Sequence, residues 1–127
     1  MGKYVSRIQY KGREIKFMNA KGVGEKDGIE AWEEMKREAL KGQNVNLTLV
    51  DATDITITPA LVRKAREVAE MGQGKAGGRV AFVGMTTIQK STAQLIARAV
   101  GLQAHFCGTL EEGKEWLVKE NDKRRKP

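Results

Sequence analysis

The chain has 127 residues, a mass of 14.1 kDa and a formal charge of +7, which fits a single domain that buries roughly two-thirds of its unfolded surface. Its 40% hydrophobic and 31% charged residues, with two prolines, exclude a collagenous or low-complexity chain and describe a globular one. No apolar run approaches the roughly 20 residues of a membrane span. The opening MGKYVSRIQYKG has no apolar core of the kind a secretory signal needs. The single Cys107 excludes an intramolecular disulfide framework and suits a reducing compartment, so a cytoplasmic location is expected.

Charge is unevenly spread. Residues 1–58 carry ten Lys/Arg against nine Asp/Glu, and residues 59–127 thirteen against seven, with Lys123-Arg124-Arg125-Lys126 alone contributing +4. Such a run can hold nucleic acid by counterion release, but at a terminus a solvated end is its commoner use. The domain is therefore set at residues 1–120 and residues 121–127 are read as a disordered basic tail, with nucleic acid not expected as a partner.

In chain order, Tyr4–Tyr10 and Arg13–Met18 flank Lys11-Gly12 and predict a β-hairpin at a sheet edge. Asp27, with Glu30 three residues on, predicts the cap of a helix whose stripe is Ile29, Trp32, Met35, Ala39 and Leu40 and which Gly42 ends. Trp32 reads as a core anchor on that stripe. Val45–Val50 predicts an interior parallel strand. Thr58 predicts an N-cap with Pro59 at the first helical position, followed by a buried stripe of Leu61, Val62, Ala65, Val68 and Ala69, with Arg63, Lys64, Arg66, Glu67 and Glu70 outward.

Gly72–Gly78 then reads as a flexible connection. Arg79–Gly84 is a short apolar strand ended by glycine, and Thr86 with Gln89 predicts a second capping box. The helix it opens has Ile88, Thr92, Leu95, Ile96, Ala99 and Val100 at helical spacing and stops at Gly101. Gln103–Cys107 is a last strand, and Thr109 with Glu112 caps a final helix carrying Leu110, Trp116, Leu117 and Val118. The expected fold is α/β: a mixed sheet of an N-terminal antiparallel hairpin plus three parallel strands, flanked on both faces by about four helices.

No catalytic constellation emerges. Gly22-Val23-Gly24-Glu25-Lys26-Asp27-Gly28 misses the dinucleotide fingerprint by one residue and places carboxylates where a pyrophosphate would lie. Gly72–Gly78 precedes a strand instead of following one, so it fails as a phosphate loop. Asp51 with Thr86 or Thr87 has the look of a phospho-acceptor site, but the acidic pair and the lysine that such a site needs are missing. Asp51 and Asp54 suit a turn better than a metal. His105 and Cys107 share a strand face without the further ligands that zinc requires. No metal and no cofactor are expected.

The segments LTLVDAT, RVAFVG, TTIQK and FCGTLEEGKEWL, with the YKG hairpin, together resemble the SpoIIAA-like, STAS/SEC14-type small bacterial proteins over about Val5 to Glu120. The resemblance implies a sheet of four or five strands flanked by helices. In the anti-sigma antagonists of that superfamily, a serine at the start of the helix after the central strand, in a D-S-S-G-like motif, is phosphorylated by a partner kinase. The corresponding stretch here is Ile57-Thr58-Pro59-Ala60-Leu61, where Thr58 alone offers a hydroxyl.

The leading expectation is a non-catalytic regulatory module that docks an unknown protein partner. The docking face would be the loop of Asp51, Thr53, Asp54, Thr56 and Thr58 with Arg63, Lys64, Gly84, Thr86 and Thr87 beside it. The alternative is a carrier of a lipid or anionic metabolite, with the helix starts at Thr58 and Thr86 supplying amides to an anion. A homodimer is compatible with either.

Overall fold

The computed structural model describes residues 3–40, 47–72 and 79–125. The predicted helix stop at Gly42, the strand start at Val45 and the connection beyond Gly72 lie outside the described residues, as do the side chains of Ala39, Leu40 and Val100.

Among the described residues nine elements follow the expected order: β1 (Val5–Tyr10), β2 (Arg13–Asn19), α1 (Glu25–Leu40), β3 (Leu47–Asp51), α2 (Pro59–Gly72), β4 (Arg79–Val83), α3 (Thr87–Val100), β5 (Gln103–Cys107) and α4 (Leu110–Arg125). They build one five-stranded sheet in the order β1-β2-β3-β4-β5. β1 and β2 pair antiparallel, and every later pairing is parallel. Lys11 at φ 50° and Gly12 at φ 79° make the two-residue hairpin turn, where left-handed backbone matches the twist of the flanking strands.

Strand alternation sorts the side chains between two cores. Val50, Val80 and Phe82 face one side, with Met18 and Val5, and are covered by Ala31 and Met35 of α1, Leu61 and Val68 of α2, and Ala93 of α3. Leu47, Leu49, Ala81 and Val83 face the other side and are covered by Leu117 and Trp116 of α4. Three helices therefore share one face, and the last helix closes the opposite one. α4 comes so close that a Cβ on Gly113 would stand 2.6 Å from Leu49 Cδ1.

Two predictions about helices need correction. α1 begins at Glu25, so Asp27 lies inside its first turn instead of capping it; carboxylates there still suit the positive end of the helix. In α3, Ile88 is 81% exposed and Leu95 69% exposed, while Ala93, Ile96 and Ala97 turn toward the sheet. Ile96 faces inward as expected, but its inner companions are Ala93 and Ala97, while Ile88, Leu95 and Ala99 of the expected stripe are exposed.

Three caps and one helix stop stand where they were expected. Thr86 and Gln89 form a reciprocal capping box, and Gly101 ends α3 in the left-handed conformation. Thr58 Oγ1 accepts the Leu61 N–H at 3.3 Å, and Thr109 Oγ1 accepts the Glu112 N–H at 3.1 Å. Buried carboxylates were not foreseen. Glu34 of α1 accepts the backbone N–H groups of Lys3, Tyr4 and Val5 at 3.0, 2.7 and 2.5 Å, fastening the start of β1 to the helix above it.

Candidate functional site

The loops that leave β3 and β4 at their C-terminal ends meet. Asp51 Oδ1 accepts both the Thr53 N–H, at 3.1 Å, and the Thr53 hydroxyl, at 2.8 Å, so the aspartate shapes its own turn. Asp54 follows at φ 57°, a left-handed backbone that aspartate tolerates better than most residues. Hydrogen bonds then pin the loop: Gly22 N–H to Thr53 O at 2.8 Å, Thr56 N–H to Val23 O at 3.0 Å, and Gln89 Nε2 to Ile55 O at 3.1 Å. This loop is part of the folded body.

Thr58 is not an open hydroxyl. It donates to Glu25 Oε2, from the first turn of α1, while capping α2. The positive end of α2 thus has a carboxylate of the same chain beside it, and a second anion there would meet like charge. At the other helix start, the Thr86 N–H is taken by Gln89 Oε1 at 3.1 Å. The start of α2 therefore has a carboxylate beside the amides offered to an anion, while at the start of α3 the capping box occupies the Thr86 and Gln89 N–H groups.

Lys64 also differs from expectation. It is half-buried and paired with Glu33 of α1 and, at 3.5 Å, with Glu67. The hydrogen bond from Lys64 holds the Glu33 carboxyl below its usual range and raises the pKa of Lys64 in turn. Arg63 is exposed, as are Asp54, Thr56, Gly84, Thr86 and Thr87, whereas Asp51, Thr53 and Thr58 are half-buried. Among the described residues no three His, Cys, Asp or Glu side chains are grouped to hold a metal.

A crevice lies between α2 and α3, floored by β3 and β4. α2 packs much more extensively against α1 than against α3, and the gap leaves two adjoining cavities of about 70 and about 50 Å³. Trp32, Phe82, Ala93 and Ile96 line both, and among the described residues no charged side chain lines either. Trp32 is thus a cavity wall as well as part of the core. Sequence periodicity carries no signal for such a gap, because it arises from how far apart two helices settle.

No family model matches this chain, and no curated protein matches it. Among solved structures it is similar to an uncharacterised protein from the DUF3478 family, described as having a SpoIIAA-like fold, from Shewanella loihica PV-4. The TM-score is 0.67 at 16% identity, over 89% of this chain and 91% of the other. This chain has a SpoIIAA-like fold.

Within the SpoIIAA-like fold the central strand is β3, and Thr58 opens the helix that follows it. On the opposite face of the sheet, His105 and Cys107 lie on one side of β5, as alternation requires. His105 stacks on Trp116 with ring centroids 4.8 Å apart. Burial raises the pKa of the Cys107 thiol, which works against the thiolate that nucleophilic or metal chemistry would use. No helix among the described residues is long and apolar enough to cross a membrane.

Proposed function

We propose that this SpoIIAA-like chain is a non-catalytic module that binds a small, uncharged, apolar molecule between α2 and α3. The observation that carries this reading is the pair of adjoining cavities whose shared walls are Trp32, Phe82, Ala93 and Ile96, with no charged side chain among the described residues that line them. A ligand carboxylate or phosphate would be desolvated there without a partner, at a cost of several kcal/mol. The reading therefore narrows the expected ligand from lipid or anionic metabolite to a neutral or acyl group. Each cavity is smaller than the roughly 150 Å³ of an apolar cavity that accepts benzene, so a longer ligand enters as α2 and α3 separate.

The test is titration of the full chain with N-phenyl-1-naphthylamine, an uncharged probe that fluoresces in apolar surroundings. Ala93→Phe should fill the shared wall and weaken binding at least about tenfold, and Phe82→Ala should enlarge it and restore or strengthen binding. Binding indifferent to both substitutions sinks the reading.

A second reading is a regulatory module that docks a protein through the loops at the strand ends. It is favoured by the side-by-side exposure of Thr86, Thr87 and Ile88, the last 81% exposed. Arg63→Glu combined with Ile88→Ser should abolish capture of a partner; undiminished capture would remove this surface. The half-buried Cys107 suits a cytoplasmic setting for either role.

A further inference from the structure

Among the described residues β5 is a sheet edge, paired with β4 alone. Half of the backbone N–H and C=O groups of such a strand point away from its neighbour and can pair with another chain. Natural edges are blunted with lysine, proline or a bulge. The β5 sequence, QAHFC, has no lysine and no proline, and its register with β4 runs unbroken from Gln103 to Cys107. The other edge, β1, carries Arg7, which pairs with Glu14 and Glu38.

Beside the β5 edge lies a groove of about 480 Å³ formed by Lys90, Ser91, Gln94, Leu95 and Arg98 of α3 with Phe106 of β5. None of these residues lines the cavities between α2 and α3. Lys90 and Arg98 are exposed and make no ion pair among the described residues, and α3 contains no Asp or Glu. Leu95, 69% exposed, stands between them.

We propose that β5 and the outer face of α3 together form a docking site for an extended acidic peptide segment of a partner protein. The segment adds to the sheet as a sixth strand, its backbone pairing with the β5 edge. On the α3 side an apolar side chain lies against Leu95 and Phe106, with carboxylates flanking it toward Lys90 and Arg98. Charge decides against a second copy of this chain. Two-fold pairing of β5 with itself would set two α3 helices side by side on one face of the sheet. Their Lys90 and Arg98 side chains would then face each other with no carboxylate on either helix to separate them.

The test is an NMR titration of the ¹⁵N-labelled full chain with a blocked eight-residue peptide alternating glutamate and valine. The expected result is movement of the Gln103–Cys107 amide resonances and slowed hydrogen exchange there. Lys90→Glu combined with Arg98→Glu should weaken binding about tenfold or more at unchanged melting temperature. A lysine-valine peptide that binds as well, or β5 resonances that stay unmoved, overturns the proposal. So do shifts that follow protein concentration alone, which would mark self-pairing. Partition onto phosphatidylglycerol vesicles with β5 unaffected would assign α3 to a lipid surface and overturn it too.

Discussion

Thr53 lies directly over Gly84: a Cβ added to that glycine would stand 2.2 Å from Thr53 Oγ1 and 2.8 Å from its Cα. Gly84 also holds φ 81°, a backbone region that side chains disfavour. The contact joins the loop after β3 to the end of β4. Because one of the clashing atoms is backbone, no rotamer change relieves it. Gly84→Ala is expected to destabilise the fold by about 2 kcal/mol or more, read as a lower urea midpoint, and to displace the Thr53 and Asp54 resonances.

Leu95 and Leu117 provide a paired test of helix orientation. Leu117 is fully buried between α4 and the sheet whereas Leu95 is 69% exposed on α3. Leu117→Ala should cost about 2–5 kcal/mol, and Leu95→Ala should change stability by less than about 0.5 kcal/mol. Equal losses in chemical denaturation would mean that α3 is turned differently.

Most of the fold was legible because its signals are local. The Lys11-Gly12 turn, the Thr58-Pro59 helix start, the Thr86–Gln89 box and the Gly101 stop each depend on a few neighbouring residues, and each stands where it was expected. The candidate site was less legible because its decisive contacts join distant positions. Nothing near Thr58 announces Glu25, thirty-three residues away, and nothing near Lys64 announces Glu33. Glu34 reads as a surface charge until the N–H groups of Tyr4 and Val5 are seen to converge on it.

Glu34 therefore separates charge from hydrogen bonding. Glu34→Gln retains a carbonyl oxygen for the Tyr4 and Val5 N–H groups, which share Oε1 in the wild type. Glu34→Ala leaves buried donors without a partner, at about 1–3 kcal/mol for each. Urea denaturation should rank the alanine variant at least about 2 kcal/mol below the glutamine variant.

Lys16 gives stability an alkaline signature. It is 3% exposed, and burial, with Arg7 adding repulsion against the attraction of Glu38, lowers its pKa below 10.5. Between that lowered value and 10.5 the unfolded chain binds more protons than the folded one, so this residue makes stability rise with pH through the window. Other groups titrate there, among them Tyr10, whose pKa is raised by hydrogen bonds to Glu115 and Glu111 and which makes stability fall above its ordinary value of 10.0. The informative quantity is the difference between wild type and Lys16→Met across pH 7–10.5: the wild-type melting temperature should gain on the variant as pH rises. A constant offset would show that Lys16 keeps its ordinary proton affinity.

Tyr10, at the end of the first strand, reaches Glu111 and Glu115 of the last helix, and Lys11 reaches Glu115 as well. These contacts span more than a hundred residues of chain, while Ile15 and Leu49 beneath that helix are fully buried in the finished protein. During synthesis the first strands are complete long before their cover exists. One face of the sheet therefore stays wet until Leu117 has been translated, so the last helix is the latch that commits the chain to its folded state.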